Sequence, residues 1–289
     1  MEKCNEGDDR RMLIERYTFA QAWFELLSRL YHEGKPVSPR GYETHELLGV
    51  QVRVTNMLNN ILVHPARALS YRFAIAEWLW IAAGRDDVEG ITKYNKHIAQ
   101  FSDDGVTFAG AYGPRIAPQI PWALEQLAKP GSRQAVIQVW STTPAASKDI
   151  PCTLSWQLLA RDSVLHAIVT MRSSDVWLGL PYDFVNFSQM TNSIAGALKL
   201  VPGSLIFNLG SSHLYDRDGE KALAVLRDPA SLRCGSSPRL PGLAPAAEIL
   251  DAHWDAVFGV PAWDAYHDVL LASTNADALL QLEALNEAV

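Results

Sequence analysis

Cys152 is the side chain in this sequence best suited to forming and breaking a covalent bond to a substrate carbon, because a thiolate is a soft nucleophile and a good leaving group. As a bare pattern, Pro151-Cys152-Thr153 ahead of an apolar run more often marks a small buried residue. Its neighbours in sequence change that balance. Arg172-Ser173, at the head of the stretch Met171-Arg-Ser-Ser-Asp-Val-Trp-Leu-Gly-Leu-Pro-Tyr-Asp183, offers a guanidinium fork and a hydroxyl, which match phosphate oxygens in geometry and charge. Arg133, in Gly131-Ser-Arg-Gln134, is either a second such fork or half of a surface ion pair. Glu77 sits in Ala76-Glu-Trp-Leu-Trp80, within an apolar run. An ionised carboxylate is costly there, and a raised pKa would suit proton transfer; the plainer alternative is a helix-face Glu turned to water. In Gly210-Ser-Ser-His-Leu-Tyr215, His213 and Tyr215 alternate and so share one face of a strand.

The surrounding pattern indicates which elements hold these groups. Phe19, Trp23, Leu26, Leu27 and Leu30 recur at helical spacing and predict a helix over 16–31, followed by a Gly/Pro-punctuated loop over 34–41. A strand is expected over 47–54 and an apolar helix over 71–83, stopped by Gly84. The region 85–120 reads as loop-rich. Strands are expected at 135–140, 154–158 and 164–171, the last after the turn Arg161-Asp162-Ser163. A helix over 187–200 ends at the breaker Pro202-Gly203, strand returns at 204–209, and short helices fill the chain from about Ala244. We read one α/β domain spanning 1–289.

A chain of 289 residues, 48% of them hydrophobic and 20% charged, can bury a large core. The formal charge of −7 gives no basic footprint for nucleic acid. The segment MEKCNEGDDRRMLIER lacks a signal peptide's apolar core, and no stretch reaches the roughly 18 apolar residues of a membrane span, so a soluble cytoplasmic protein with no membrane partner is expected. Cys4, Cys152 and Cys234 lie far apart without a C-x-x-C pair, so no metal is expected and a free thiol is admissible.

Taken together and in order, the Pro151-Cys152, Arg172-to-Asp183 and Gly210-to-Tyr215 blocks resemble the thymidylate synthase superfamily over roughly 17–215. The resemblance implies a mixed α/β sandwich whose sheet packs on its mate in a homodimer with shared active sites. It implies pyrimidine nucleoside monophosphate and 5,10-methylenetetrahydrofolate as co-substrates. Cys152 matches the thiol that attacks pyrimidine C6. Arg172 and Ser173 match phosphate-binding residues, and Arg133 matches an arginine contributed by the partner subunit. Arg40 resembles the arginine of a mobile phosphate loop. Glu77 and Tyr112 match residues that handle water and the C5 proton. His213 and Tyr215 match sugar-binding residues, while Asp175 and Trp80 fall at folate-binding positions. Gln134 stands where the family usually has a second Arg.

Two departures bear on the reaction. Asp183 stands where the uracil enzymes carry Asn; a carboxylate accepts the N4 amine of cytosine and can stabilise a proton on N3. The same Asp occurs in the dCMP and CMP hydroxymethylases, which this chain resembles most. The tryptophan-rich folate segment appears as His97-Ile-Ala-Gln-Phe101, with Ala99 in the first Trp position, leaving room for water. The expectation is a cytidylate 5-hydroxymethyltransferase acting on CMP or dCMP. The alternatives are a diverged thymidylate synthase acting on dUMP and a non-catalytic nucleotide- or RNA-binding homologue.

Overall fold

The computed structural model describes residues 12–142, 146–252 and 256–284. Cys4 and most of the amino-terminal segment discussed above lie outside the described residues. In chain order the elements are β1 (Leu13–Arg16), α1 (Phe19–Glu33), β2 (Lys35–Val37), β3 (Thr44–Val54), β4 (Ile61–Val63), α2 (Tyr71–Ala82), α3 (Val88–Thr92), α4 (Gly113–Ile116) and α5 (Ile120–Leu127). They continue with β5 (Val136–Gln138), β6 (Thr153–Arg161), β7 (Val164–Met171), β8 (Ser174–Asp175), α6 (Leu180–Ala197), β9 (Val201–Tyr215), α7 (Gly219–Arg227), β10 (Arg233–Gly235), α8 (Ala246–Leu250), α9 (Pro261–Leu271) and α10 (Asn275–Ala284).

Local chemistry sets the boundaries. Thr18 and Gln21 form a capping box that starts α1 at Phe19, the first residue of its buried face. The helix ends at Gly34, where a Cβ would run into the Leu30 carbonyl and the His45 side chain. Asp162 (φ 49°) and Ser163 (φ 63°) are both left-handed between the paired Arg161 and Val164, the twist that a two-residue hairpin needs. The helix α6 begins at Leu180, well before the expected 187, because Pro181 supplies the preset φ of a first helical turn. The strand β9 runs through Pro202-Gly203 rather than starting after it, since a register irregularity between Leu165 and Ala167 absorbs the missing proline donor.

The main sheet is mixed, in the order β1-β3-β9-β7-β6-β5, with β2 added on β3 and β8 on β9. β7 and β8 run parallel to β9; β3 pairs with β9, and β6 with β7, antiparallel. One face carries Val52, Phe207, Val169 and Trp156 in adjoining register and packs on α1 and α6. The opposite face carries a polar row, Gln138, Ser155, Thr170, Asn208 and Gln51, and a mixed row, Val136, Gln157, Ile168, Ile206 and Arg53. Its side chains are half-buried or exposed. The carboxyl-terminal helices cover α2 on its far side, with Trp78 edge-on to Tyr266 at 5.6 Å. No helix among the described residues is long and apolar enough to cross a membrane.

Candidate active site

Strand pairing brings the expected nucleophile to the expected anion binder. Thr153 is paired with Met171, so the residues just beyond, Cys152 and Arg172, meet at one end of the sheet, where the Arg172 amide donates to the Cys152 carbonyl at 2.8 Å. The Arg172 guanidinium donates to the carbonyls of Pro151 and Ile150, both at 2.9 Å, and sits 3.9 Å from Cys152 Sγ. Burial pushes the Cys152 thiol up to about 11, while Arg172 pulls the other way. Ser173 is half-buried beside it.

Four acidic or phenolic groups close around this corner. Asp183 lies in the first turn of α6, where the helix dipole favours a negative charge. That influence is outweighed: burial first, then the charges of Glu77 and Asp175, hold its carboxyl well above the usual range. Glu77, on α2, is pushed by burial up to about 7 even though Asn186 Nδ2 donates to its Oε2 at 2.8 Å. Tyr112 accepts from the Thr153 amide at 3.3 Å, and burial followed by Asp183 and Cys152 keeps its phenol neutral. Asp175 uses Oδ1 to accept the amides of Trp177 (2.8 Å) and Leu178 (3.0 Å), which shapes the turn into α6.

The next strand supplies the His/Tyr pair. Register sets Asp175 beside His213, and the rings of His213 and Tyr215 stand edge-on at 5.2 Å, on one side of β9 as their alternation implies. Arg40 is held left-handed (φ 56°) before Gly41 and is near enough to His213 to lower its pKa, although burial is the larger cause. Cys152, Arg172, Ser173, Glu77, Tyr112, Asp175, Asp183, His213, Tyr215 and Arg40 thus fall along one rim. Two expected residues stand outside it. Arg133 is exposed at the β5 edge, with only its carbonyl engaged among the described residues, by Gln157 at 3.2 Å. Trp80 packs edge-on to Phe108 at 6.0 Å and lines a narrow cleft with Arg85, Ile91 and Tyr94. Ala99 and Phe101 are exposed in a 3-10 turn.

Two residues near the rim escaped the sequence reading. Arg67 is 7% exposed, lies 5.2 Å from the Trp177 ring centroid and 5.8 Å from that of Tyr182, and its Nε and Nη2 have no partner among the described residues. Those two nitrogens form the edge with which Arg85 grips Asp87 at 2.6 and 3.0 Å. Asn186 is buried, holds Glu77, and leaves its Oδ1 unpartnered. Pro65, two residues before Arg67, and a helical i, i+3 spacing from Asp183 to Asn186 were the available clues. Among the described residues, no group of three or more His, Cys, Asp or Glu side chains is placed to hold a metal ion.

Comparison with known proteins gives a consistent picture. The thymidylate synthase family model matches residues 21–233, a span that contains every residue of this rim. The deoxyuridylate hydroxymethyltransferase of Bacillus phage SP01 is 31% identical over 225 residues, covering 69% of this chain and 59% of the phage protein. The chain therefore aligns with less than two thirds of that relative's length.

Proposed function

The chain belongs to the thymidylate synthase family, and from that premise we propose that it hydroxymethylates C5 of a cytidine nucleotide, CMP or dCMP, using methylenetetrahydrofolate and water. The observation that carries this reading is Asp183, a carboxyl enclosed with Glu77 and Asp175 and facing the Cys152 corner. In the proposed reaction Cys152 Sγ bonds C6 of the ring and makes C5 nucleophilic; Arg172 beside it favours the thiolate and, with Ser173, Arg133 and Arg40, holds the phosphate. His213 and Tyr215 hold the sugar. Asp183 accepts from the cytosine N4 amine and stabilises a proton at N3, drawing electron density from C6. Tyr112 moves the C5 proton, and Glu77, with a pKa of about 7, can give or take a proton near neutral pH.

The residues present fit the folate. Asp175 offers a carboxyl on the rim and the open edge of Arg67 suits a carboxylate, while Trp80 lies outside the rim, its buried Nε1 without a partner among the described residues. When bound, methylenetetrahydrofolate supplies the one-carbon unit. The uncovered sheet face supports a homodimer, with Arg133 serving the neighbouring site.

One observation favours a second substrate. The phage relative's name specifies deoxyuridylate, and a neutral carboxylic acid has one donor and one acceptor, which can face the N3–H and O4 of uracil as well as the N3 and N4 amine of cytosine. Ionisation of Asp183 removes the donor and leaves a carboxylate facing O4, so cytosine with a proton at N3 is then preferred. Mass spectrometry after incubation with methylenetetrahydrofolate and each of CMP, dCMP, UMP and dUMP decides the matter. The expected product is a 5-hydroxymethyl cytosine nucleotide. Asp183→Asn should lower kcat/KM on cytosine about a hundredfold and raise it on uracil. A wild-type preference for dUMP, or an Asp183→Asn variant with unchanged base preference, overturns the cytosine assignment. A methylated product would support thymidylate synthesis instead, and nucleotide binding without turnover would support a non-catalytic homologue.

A further inference from the structure

Hydroxymethyl transfer needs a water molecule delivered to one carbon while bulk water is kept out, and the rim contains a pair of groups arranged for that delivery. Asn186 follows Asp183 by three residues on α6 and so shares its face. It is 2% exposed. Its Nδ2 donates to Glu77 Oε2 at 2.8 Å. An ionised carboxylate only accepts, so the amide must turn its NH2 toward Glu77, and its carbonyl oxygen is then fixed as an acceptor pointing elsewhere. That Oδ1 is buried and unpartnered among the described residues. An unpaired buried acceptor is destabilising, and it is retained where a ligand supplies the missing donor.

Resting on the hydroxymethyl reading above, we propose that Asn186 is a positioning residue for hydroxyl transfer: its Nδ2 aims the Glu77 carboxylate, and its Oδ1 together with that carboxylate seats the water whose oxygen enters the product. Water donates one hydrogen to Asn186 Oδ1 and the other to Glu77. The reacting carbon is an exocyclic methylene at C5 of a nucleotide bonded to Cys152 Sγ through C6. A lone pair of the water oxygen forms the C–O bond, and the methylene π pair moves into the ring at C5. The water proton passes to Glu77. The ring pair then re-forms the C5–C6 double bond and expels the Cys152 thiolate, so no oxidant or reductant is needed.

The groups acting on Glu77 are few. Burial raises its pKa and Asn186 lowers it, and the groups that sense its charge in turn are Asp183 and Tyr182, both on α6. Removing the Asn186 donor should raise the Glu77 pKa by about one to two units. In Asn186→Ala, carboxyl-carbon NMR of the ligand-free protein should show Glu77 titrating above its wild-type position near 7, and the acid limb of the rate profile should rise with it. Exchange of C5 tritium into water needs Cys152 but no delivered water, so the ratio of hydroxymethyl product to exchange should fall at least about tenfold. Asn186→Gln, which keeps an amide, should recover part of that ratio; if Asn186→Ala does not fold, Asn186→Leu, of similar size and without a donor or acceptor, carries the same comparison. An unmoved Glu77 titration, or exchange and product falling in step, overturns the assignment. If wild type incubated in oxygen-18 water forms no labelled hydroxymethyl nucleotide, the functional reading fails and the water delivery with it; the Glu77 titration separates that failure from an Asn186 that never acted on Glu77.

Discussion

Glu77 shows what a buried carboxyl costs the fold. Folding lifts its pKa from 4.5 to about 7, chiefly by burial, so the unfolded chain releases that proton more easily. The native state is therefore at its best below about pH 4.5, as far as this group is concerned, and loses stability as pH rises toward 7. Asp183 has the same sign. At 1.36 kcal/mol per unit the Glu77 penalty reaches about 3 kcal/mol at pH 8. Glu77→Gln keeps an acceptor for Asn186 and removes the charge. Urea denaturation should find it more stable than wild type by up to that amount at pH 8, with a much smaller difference at pH 5, while turnover is lost. A variant destabilised at pH 8 would mean that the carboxylate is stabilised by groups other than Asn186. The grouping of Cys152, Arg172 and Asp183 was legible because they sit in short contiguous blocks. Arg67 and Asn186 were not, because their significance lies in which partners they lack, and a sequence does not record unpaired donors and acceptors.

At the scale of elements, alternation was a reliable guide where one face is buried and the other is not. β7 follows its pattern from Val164 to Met171 at both ends, and α1 differs from expectation only at its termini, which the Thr18 cap and Gly34 set. α6 was harder to read. It is buried nearly all round, yet carries Ser188, Gln189, Thr191 and Asn192, whose polar atoms are consumed internally. Ser188 accepts from Asn60, and Asn192 binds the Pro238 carbonyl (2.8 Å) and the Leu240 amide (3.2 Å). Polar residues satisfied by a distant loop weaken the periodic signal on which a helix assignment depends. The same contact gives a prediction. At Gly196 a Cβ would collide with the Leu240 carbonyl and come within 2.7 Å of the Gly242 amide, whereas at Gly219, the first residue of α7, it would meet nothing within 4 Å. Gly196→Ala should lose about 2 kcal/mol or more in urea denaturation, because the loop must move off α6. Gly219→Ala should be neutral or gain up to about 1 kcal/mol from reduced chain entropy. Equal effects would show that the loop yields freely and does not hold α6.

At the scale of the whole molecule, the sheet has one face packed on α1 and α6 and another whose rows run from Gln138 to Gln51 and from Val136 to Arg53 without a covering helix among the described residues. Val136 at 39% and Leu13 at 45% exposure leave apolar surface at its edges, and Gln51 bonds Asn208 across strands at 2.8 Å instead of reaching outward. A face without a covering helix can lie against a copy of itself about a two-fold axis, and such pairing would bring the β5 edge, with Arg133, toward the neighbouring molecule. Arg133 lies outside its own rim, and among the described residues only its carbonyl is engaged. Sharing of this kind has a consequence that a monomer cannot imitate. Cys152→Ala and Arg133→Ala homodimers should each be inactive, one lacking the thiol and the other the borrowed guanidinium. After mixing at equal concentrations and exchange of subunits, half the dimers are mixed; one of the two sites in each carries both defects, while the other has its own Cys152 and its partner's Arg133. Activity should therefore return to about a quarter of wild type. Analytical ultracentrifugation run alongside the assay provides the control: an active species sedimenting as a monomer, or a dimer in which mixing restores nothing, would mean that Arg133 serves no neighbouring site and that the open sheet face has another use.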